Sequence, residues 1–311
     1  MTLDIIALGE PLIEFNQTRG QENGAHYRLG HGGDTSNAAI AAARQGASVG
    51  YVTALGADAF GDEFLKLWHE EKVDASRVIR DGGAHTGVYF VSHGPEGHVF
   101  SYLRAGSAAS RLSPAALPMD YIGSAKYLHL SGISQAISAT ACDAVFAAIE
   151  EARANGVRIS YDTNLRLKLW PLARARAISH ATIPLCDVIF PSLEDATVLT
   201  ELDEPQAIVD FYLRLGVPLV VLKLGPEGAL VATGDGRWRV KGIAVETVDA
   251  TGAGDTFDGA FLSMLVLGEG PLEAAGYANA AAALSTCGYG AVAPIPRRAE
   301  VLQFLGEEVH Q

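Results

Sequence analysis

One run of residues constrains this chain more than any other: Asp249-Ala250-Thr251-Gly252-Ala253-Gly254-Asp255-Thr256-Phe257. A strand-like stretch, Gly242 to Val248, precedes it, and a helix-like stretch, Phe257 to Leu267, follows it. The small residues make a tight turn whose backbone N–H groups can crowd around an anion, and the positive end of the helix dipole adds to that attraction. Gly252, Ala253 and Gly254 are therefore a candidate anion hole. Asp255 stands on the first helical turn, beside whatever anion is bound. Like charges repel, so a carboxylate there is a poor choice for binding alone. It makes sense as a base that takes a proton from an attacking hydroxyl. An ordinary strand–turn–helix junction would explain a bare Gly-x-Gly, but a second element upstream must be explained too.

That element is Gly32-Gly33-Asp34-Thr35-Ser36-Asn37-Ala38-Ala39, followed by an Ala-rich helical pattern that stops at Gln45-Gly46. Its glycines permit close backbone approach to a ligand. Asn37 lies about one turn into the helix and offers both a donor and an acceptor to sugar hydroxyls. Taken in this order, the two segments resemble the signature regions of the ribokinase-like, or PfkB, carbohydrate kinases. The resemblance runs from Ile5-Ile6-Ala7-Leu8-Gly9-Glu10 to Gly290-Ala291-Val292-Ala293-Pro294. It implies ATP-dependent phosphorylation of a sugar hydroxyl, with Asp255 as the base. Gly33, Asp34 and Asn37 are then sugar contacts. ATP and Mg²⁺ are the implied cofactors, and a monovalent cation such as K⁺ stays open.

Composition bounds the alternatives. The chain has 311 residues, 49% of them hydrophobic, enough for one large α/β domain. A net charge of −13 argues against a general nucleic-acid binder, which needs clustered Lys and Arg. Cys142, Cys186 and Cys287 are far apart, without metal-ligand spacing, which fits a reducing cytoplasm. Asp4 and Glu10 stand around a short N-terminal apolar run that does not read as a signal peptide. From Ala274 to Pro296 there is no charged residue. Its Ala and Gly content, with Asn279, Pro294 and Pro296, reads as a buried helix and a loop rather than a membrane span. His93 and His98 flank a Gly94–Gly97 turn and read as hairpin surface, not as metal ligands.

The dominant rhythm is strand, then helix. Strands are expected at Leu3 to Leu8, Ser48 to Leu55, Tyr127 to Leu130, Val157 to Asp162, Asp187 to Phe190 and Leu219 to Lys223. Helices are expected at Thr35 to Arg44, Asp58 to Lys72 and Ser138 to Ala154. Such alternation predicts an α/β fold with a mostly parallel central sheet flanked by helices. Two regions break it. Leu12 to Phe15 and His26 to Leu29 read as short strands, and Gly87 to Val91 with His98 to Leu103 as a hairpin. They form a small, discontinuous β lid, about 12–30 and 86–104, on a single domain spanning 1–311. The family resemblance implies a ribokinase-like fold in which this lid covers the sugar and forms homo-oligomer contacts.

Ligands in open α/β sheets bind beyond the carboxyl ends of strands, where several marked residues fall. Asp162, Asn164 and Arg166 share one such loop. The resemblance places the nucleotide at Lys223, Gly225 and Gly228, with Ser192 and Asn279 nearby. Many relatives have Asn-x-x-Glu where this chain has Ser192 to Asp195. Asp195 keeps the carboxylate one methylene shorter, as a water-mediated contact to the metal. The segment Tyr102 to Ser110, with Gly32 to Thr35 and the loop ending in Arg166, is similar to the 2-keto-3-deoxygluconate kinases. A neutral sugar has no need of arginines, whereas a sugar acid presents a planar carboxylate that suits guanidinium groups. Arg104 and Arg166, with Tyr89 and Tyr102, are thus substrate-contact candidates. Fructose or another ketose or ribose is the alternative substrate. A dehydrogenase is disfavoured because Gly9-Glu10-Pro11 lacks the dinucleotide glycine pattern. A catalytically silent sugar-binding sensor is disfavoured by the intact Asp255.

Overall fold

The computed structural model describes residues 3–18, 26–94 and 97–306. The tip of the Gly94–Gly97 turn and the side chains of His93 and His98 lie outside the described residues. In chain order the strands are β1 (Ile5–Leu8), β2 (Leu12–Gln17), β3 (Tyr27–Gly32), β4 (Val49–Val52), β5 (Ala54–Gly56), β6 (Val73–Asp74), β7 (Ile79–Asp81) and β8 (Gly87–Gly94). They continue with β9 (Gly97–Leu103), β10 (Tyr127–Ser131), β11 (Arg158–Asp162), β12 (Val188–Ile189), β13 (Leu219–Lys223), β14 (Gly228–Thr233) and β15 (Gly236–Lys241).

Among the described residues the main sheet runs β15-β14-β13-β12-β11-β10-β1-β4-β6. It is parallel from β13 to β6, and the β13–β14 and β14–β15 pairs are antiparallel. The chain leaves β1 toward β4 and β6, then returns to β10 on the other side of β1. This reversal is where sheets of this kind bind ligands. Ile5 and Ala7 point to one face and Ile6 and Leu8 to the other, all buried. Helices Asp34–Arg44, Ala253–Val266 and Pro271–Ser285 cover the first face; Ala139–Ala154 and Pro205–Arg214 cover the second. Burial on both faces is why these strands are continuous apolar runs.

Two helices of the first face come almost into backbone contact. A Cβ on Gly259 would lie 2.2 Å from the Ala38 carbonyl oxygen and 2.8 Å from the Ala41 Cβ. The alanines of one helix and this glycine of the other permit the approach, which brings the Asn37 turn against the start of helix Ala253–Val266.

The second sheet, ordered β3-β2-β8-β9, is the expected lid. Ile13 and Val88 sink into the main core, where Phe15 stacks on Phe90 (5.3 Å) and meets Phe60 edge-on (5.8 Å). By strand alternation Leu12, Glu14 and Tyr89 take the opposite face.

Four expectations change. Gly242 to Val248 is not a strand: the ladder ends at Gly228↔Lys241, and the Val248 N–H donates to Thr286 O at 2.8 Å instead. The helix after it begins at Ala253 rather than Phe257. The strand expected over Ser48 to Leu55 is split, because β5 leaves the main sheet to pair with β7. Asp187 to Phe190 shortens to Val188–Ile189. The uncharged stretch after Ala274 is the end of helix Pro271–Ser285 and a loop. No helix among the described residues is long and apolar enough to cross a membrane.

Gly259→Ala is expected to force the helices apart and destabilise the fold by about 1–3 kcal/mol. Gly276→Ala has open space around the added methyl and is expected to be neutral or stabilising. Equal denaturation midpoints for the two variants would contradict this packing.

Candidate active site

The anion turn is built from backbone constraints. Gly252 holds a left-handed conformation (φ +76°), and a Cβ there would meet the Ala291 carbonyl oxygen at 3.0 Å. The Asp249 carboxylate accepts from the Thr251 N–H (3.0 Å) and hydroxyl (2.7 Å) and from the Gly290 N–H (3.0 Å). It thereby ties the turn to the 290 loop. Of the three expected anion donors, Ala253 N–H is turned to Ala250 O at 3.2 Å. Gly252 and Gly254 N–H groups make no such bond among the described residues, so they are the stronger part of the cradle.

Asp255 is partly buried beside that cradle. The Asn37 side-chain amide donates to its Oδ2 at 2.7 Å. Burial, then the neighbouring Asp34 charge, pushes its carboxyl up to about 7, against the Asn37 hydrogen bond. A carboxylate poised near neutrality is suited to general-base work. Burial likewise raises Asp34, which accepts from the Ser131 hydroxyl and, at 3.2 Å, from the Asn164 amide. Asn164 sits at φ +32°, a conformation Asn tolerates, in the loop that carries Asp162 and Arg166. Lys223 Nζ lies 3.1 Å from Asp162 Oδ2 and 3.1 Å from Asp258 Oδ1. Asp255, Asn37, Asp34 and Asn164 are thus one continuous set, reached from three distant segments.

The two arginines have different settings. Arg104 is mostly buried, and its Nε donates to the fully buried Glu10 at 2.7 Å. Glu10 also accepts from the Ser107 hydroxyl. Arg166 is exposed and donates only to the carbonyl of Leu165, at 2.8 Å, among the described residues. The Tyr89 hydroxyl donates to Glu14, and Tyr102 stacks on Tyr89 at 5.8 Å. Burial and the Glu14 charge hold the Tyr89 phenol well above its usual range. Gly33 opens helix Asp34–Arg44, at φ +104°. A cavity of about 610 Å³ beside the lid is lined by Glu14, Arg28, Asp249 and the 289–293 loop.

Besides Lys223, the expected nucleotide residues are Ser192, Gly225, Gly228 and Asn279. Ser192 caps helix Leu193–Thr200 by accepting from Asp195 N–H at 3.1 Å. Asp195 accepts from Leu165 N–H at 2.9 Å, which steadies the loop that carries Arg166. Gly225 and Gly228 bound the short turn between β13 and β14. Asn279 is committed to the carbonyls of Val240 (3.3 Å) and Lys241 (3.0 Å), fastening the end of β15. Among the described residues no three His, Cys, Asp or Glu side chains converge to hold a metal. A Mg²⁺ bound with a nucleotide would take most of its ligands from phosphates and water, with Asp195 the carboxylate that would stand nearest by the family resemblance.

Glu10, Glu14, Ser131 and Asp258 belong to this site and were not read from the sequence. Three of the four carried a signal: the two glutamates flank the apolar Leu12-Ile13, and Asp258 is a charged residue inside an apolar helix.

The pfkB family carbohydrate kinases match this chain over residues 2–298. The 2-dehydro-3-deoxygluconokinase of Bacillus subtilis is 34% identical over 319 residues, spanning 100% of this chain and 98% of that protein. That of Thermoproteus tenax is 36% identical over 309 residues, spanning 96% and 94%. The fructokinase of Vibrio cholerae O395, solved with fructose, ADP and a calcium ion, is 29% identical, with a TM-score of 0.87 over 98% of this chain and 100% of that one. The fold is accordingly ribokinase-like.

Asp255→Asn keeps size but removes the proton acceptor, so kcat is expected to fall by roughly 10²–10⁴-fold with nucleotide binding retained. Stability should move the other way. A carboxyl raised from 3.8 to about 7 on folding contributes stability below pH 4 that is lost as pH rises through 7. Against wild type, Asp255→Asn should gain on the order of 4 kcal/mol at pH 8, shrinking toward pH 4. Near-normal kcat, or a stability gain independent of pH, would contradict the assignment.

Proposed function

Because this chain belongs to the pfkB family of carbohydrate kinases, we propose that it transfers the γ-phosphoryl group of ATP to the terminal hydroxyl of 2-keto-3-deoxygluconate. It is a phosphotransferase with an alcohol acceptor. The observation that carries the reading of the site is Asp255, partly buried, held by Asn37 and adjoining the Gly252–Gly254 turn. In the proposed reaction Asp255 accepts the proton of the sugar hydroxyl as its oxygen attacks the γ-phosphorus. The N–H groups of Gly252 and Gly254 stabilise charge on the transferred group. Mg²⁺ would neutralise charge on the nucleotide phosphates. The β13–β14 turn with Gly225 and Gly228, and the Ser192 helix start, form the nucleotide wall. Asn279 acts there by holding the end of β15.

The sugar-acid choice rests on Arg166, an exposed guanidinium on the same loop as Asn164 and Asp162. Arg104 has its charge balanced by Glu10, so it serves as a fixed wall and as the root of the lid. Tyr89 and Glu14 supply hydroxyl contacts, with Tyr102 stacked behind them. Relatives named for 2-dehydro-3-deoxygluconate, the same compound as 2-keto-3-deoxygluconate, support this choice, and a fructokinase fold neighbour keeps fructose as the second substrate to assay. The lid exposes Tyr27, Leu29, Val99 and Leu103 on the face that carries Phe15 and Phe90, which suits a homo-oligomer formed through the lid.

The test compares both substrates in wild type and in two variants. A hydrogen bond to a charged group contributes roughly 1.5–3 kcal/mol. Arg166→Ala should therefore lower kcat/KM for 2-keto-3-deoxygluconate by about one to two powers of ten, with little change for fructose. Arg104→Ala should impair both, because it leaves Glu10 buried without its counter-charge. A wild-type preference for fructose would overturn the substrate and leave the kinase standing.

A further inference from the structure

Lys223 is the last residue of β13, yet its side chain does not leave the sheet toward solvent. Its ammonium is clamped by Asp162 Oδ2 at 3.1 Å and by both Asp258 oxygens at 3.1 and 3.2 Å, with all three side chains almost wholly buried. A Cβ placed on Gly254 would stand 3.4 Å from Nζ, so the ammonium lies directly under the anion turn. Anchoring a lysine needs one partner, and a buried ionic triad is an expensive means of stability. The arrangement makes better sense as a way of fixing a positive charge at one point.

That point faces a crowded base. Asp255 is approached by Asp34 and Asn37 from helix Asp34–Arg44, by Asp162 from β11 and by Lys223 from β13. Asp258 lies on its own helix, and the phenols of Tyr51 on β4 and Tyr89 on β8 also feel its charge. Asp34, Asp162 and a bound phosphate would all favour a protonated, inactive Asp255. We propose that Lys223, clamped by Asp162 and Asp258, is a positioning residue that keeps Asp255 able to accept the proton while an anion fills the Gly252–Gly254 turn. This rests on Asp255 being the base, and it gives the Lys223 side chain a role other than contact with the nucleotide. The direction of its influence agrees: burial and Asp34 raise the Asp255 carboxyl, and Lys223 opposes them.

The test is the pH dependence of kcat/KM for Lys223→Met and Lys223→Arg beside wild type and Asp255→Asn. Lys223→Met is expected to move the acid limb upward by about one to two pH units, with activity partly regained at alkaline pH. Lys223→Arg keeps the charge and should leave the limb within a few tenths of a unit of wild type, about the scatter of such a titration. Lys223→Met with Asp258→Asn removes both members of the buried pair. It supplies a folded protein should the single variant fail, and its limb should move in the same direction. A uniform loss at every pH, with the limb in place, would overturn the inference and reduce Lys223 to a structural or nucleotide contact. If Asp255→Asn is inactive in that case, only the role of Lys223 falls. If Asp255→Asn stays active, the base assignment falls first.

Discussion

The site depends on one hydrogen bond, from the Asn37 amide to the Asp255 carboxylate, between residues 218 positions apart. That bond exists only because two helices run nearly backbone to backbone, through alanines on one and Gly259 on the other. The first helix begins beyond β3 of the lid, and the second begins at the anion turn. Their contact therefore joins the part of the chain that would hold a sugar to the part that would hold a phosphate. The sheet contributes the rest. Glu10, Ser131, Asp162 and Lys223 all stand at carboxyl ends of strands on either side of the β1–β10 reversal.

Charge is arranged here against stability. Asp162 and Asp258 are buried around one lysine, and the partly buried Asp34 and Asp255 stand close by. Burial pushes the Asp258 carboxyl well above the usual range against the pull of Lys223, and it raises Asp34 and Asp255 as well. A hydrophobic cluster would be more stable. A cluster of carboxylates is useful where a proton must be taken from a poor acid next to an incoming phosphate.

The elements set by backbone chemistry were legible in the sequence. Gly252 must be glycine for its left-handed turn, and Asn37 and Asp255 were found because their neighbours are small for a reason. The lid hairpin was legible from alternation, and it closes as expected, from Val88↔Leu103 to Gly94↔Gly97. What escaped was pairing across space. Nothing local says that Arg104 is already matched by Glu10, or that Asp258 shares a lysine with Asp162. Gly242 to Val248 has strand-like residues but no neighbouring strand to pair with, and pairing, not propensity, decides a strand.

Crowding beside the anion turn should leave Asp255 titrating near neutrality, and this can be measured without turnover. Carboxyl-labelled aspartate would be incorporated and the Asp255 resonance identified by its loss in Asp255→Asn. Its chemical shift would then be followed by carbon NMR across pH in the substrate-free protein. A midpoint at about 7 is expected. A midpoint at or below the ordinary aspartate value of about 4 would contradict it, because the carboxyl would then be solvated or fully compensated rather than crowded beside the anion turn.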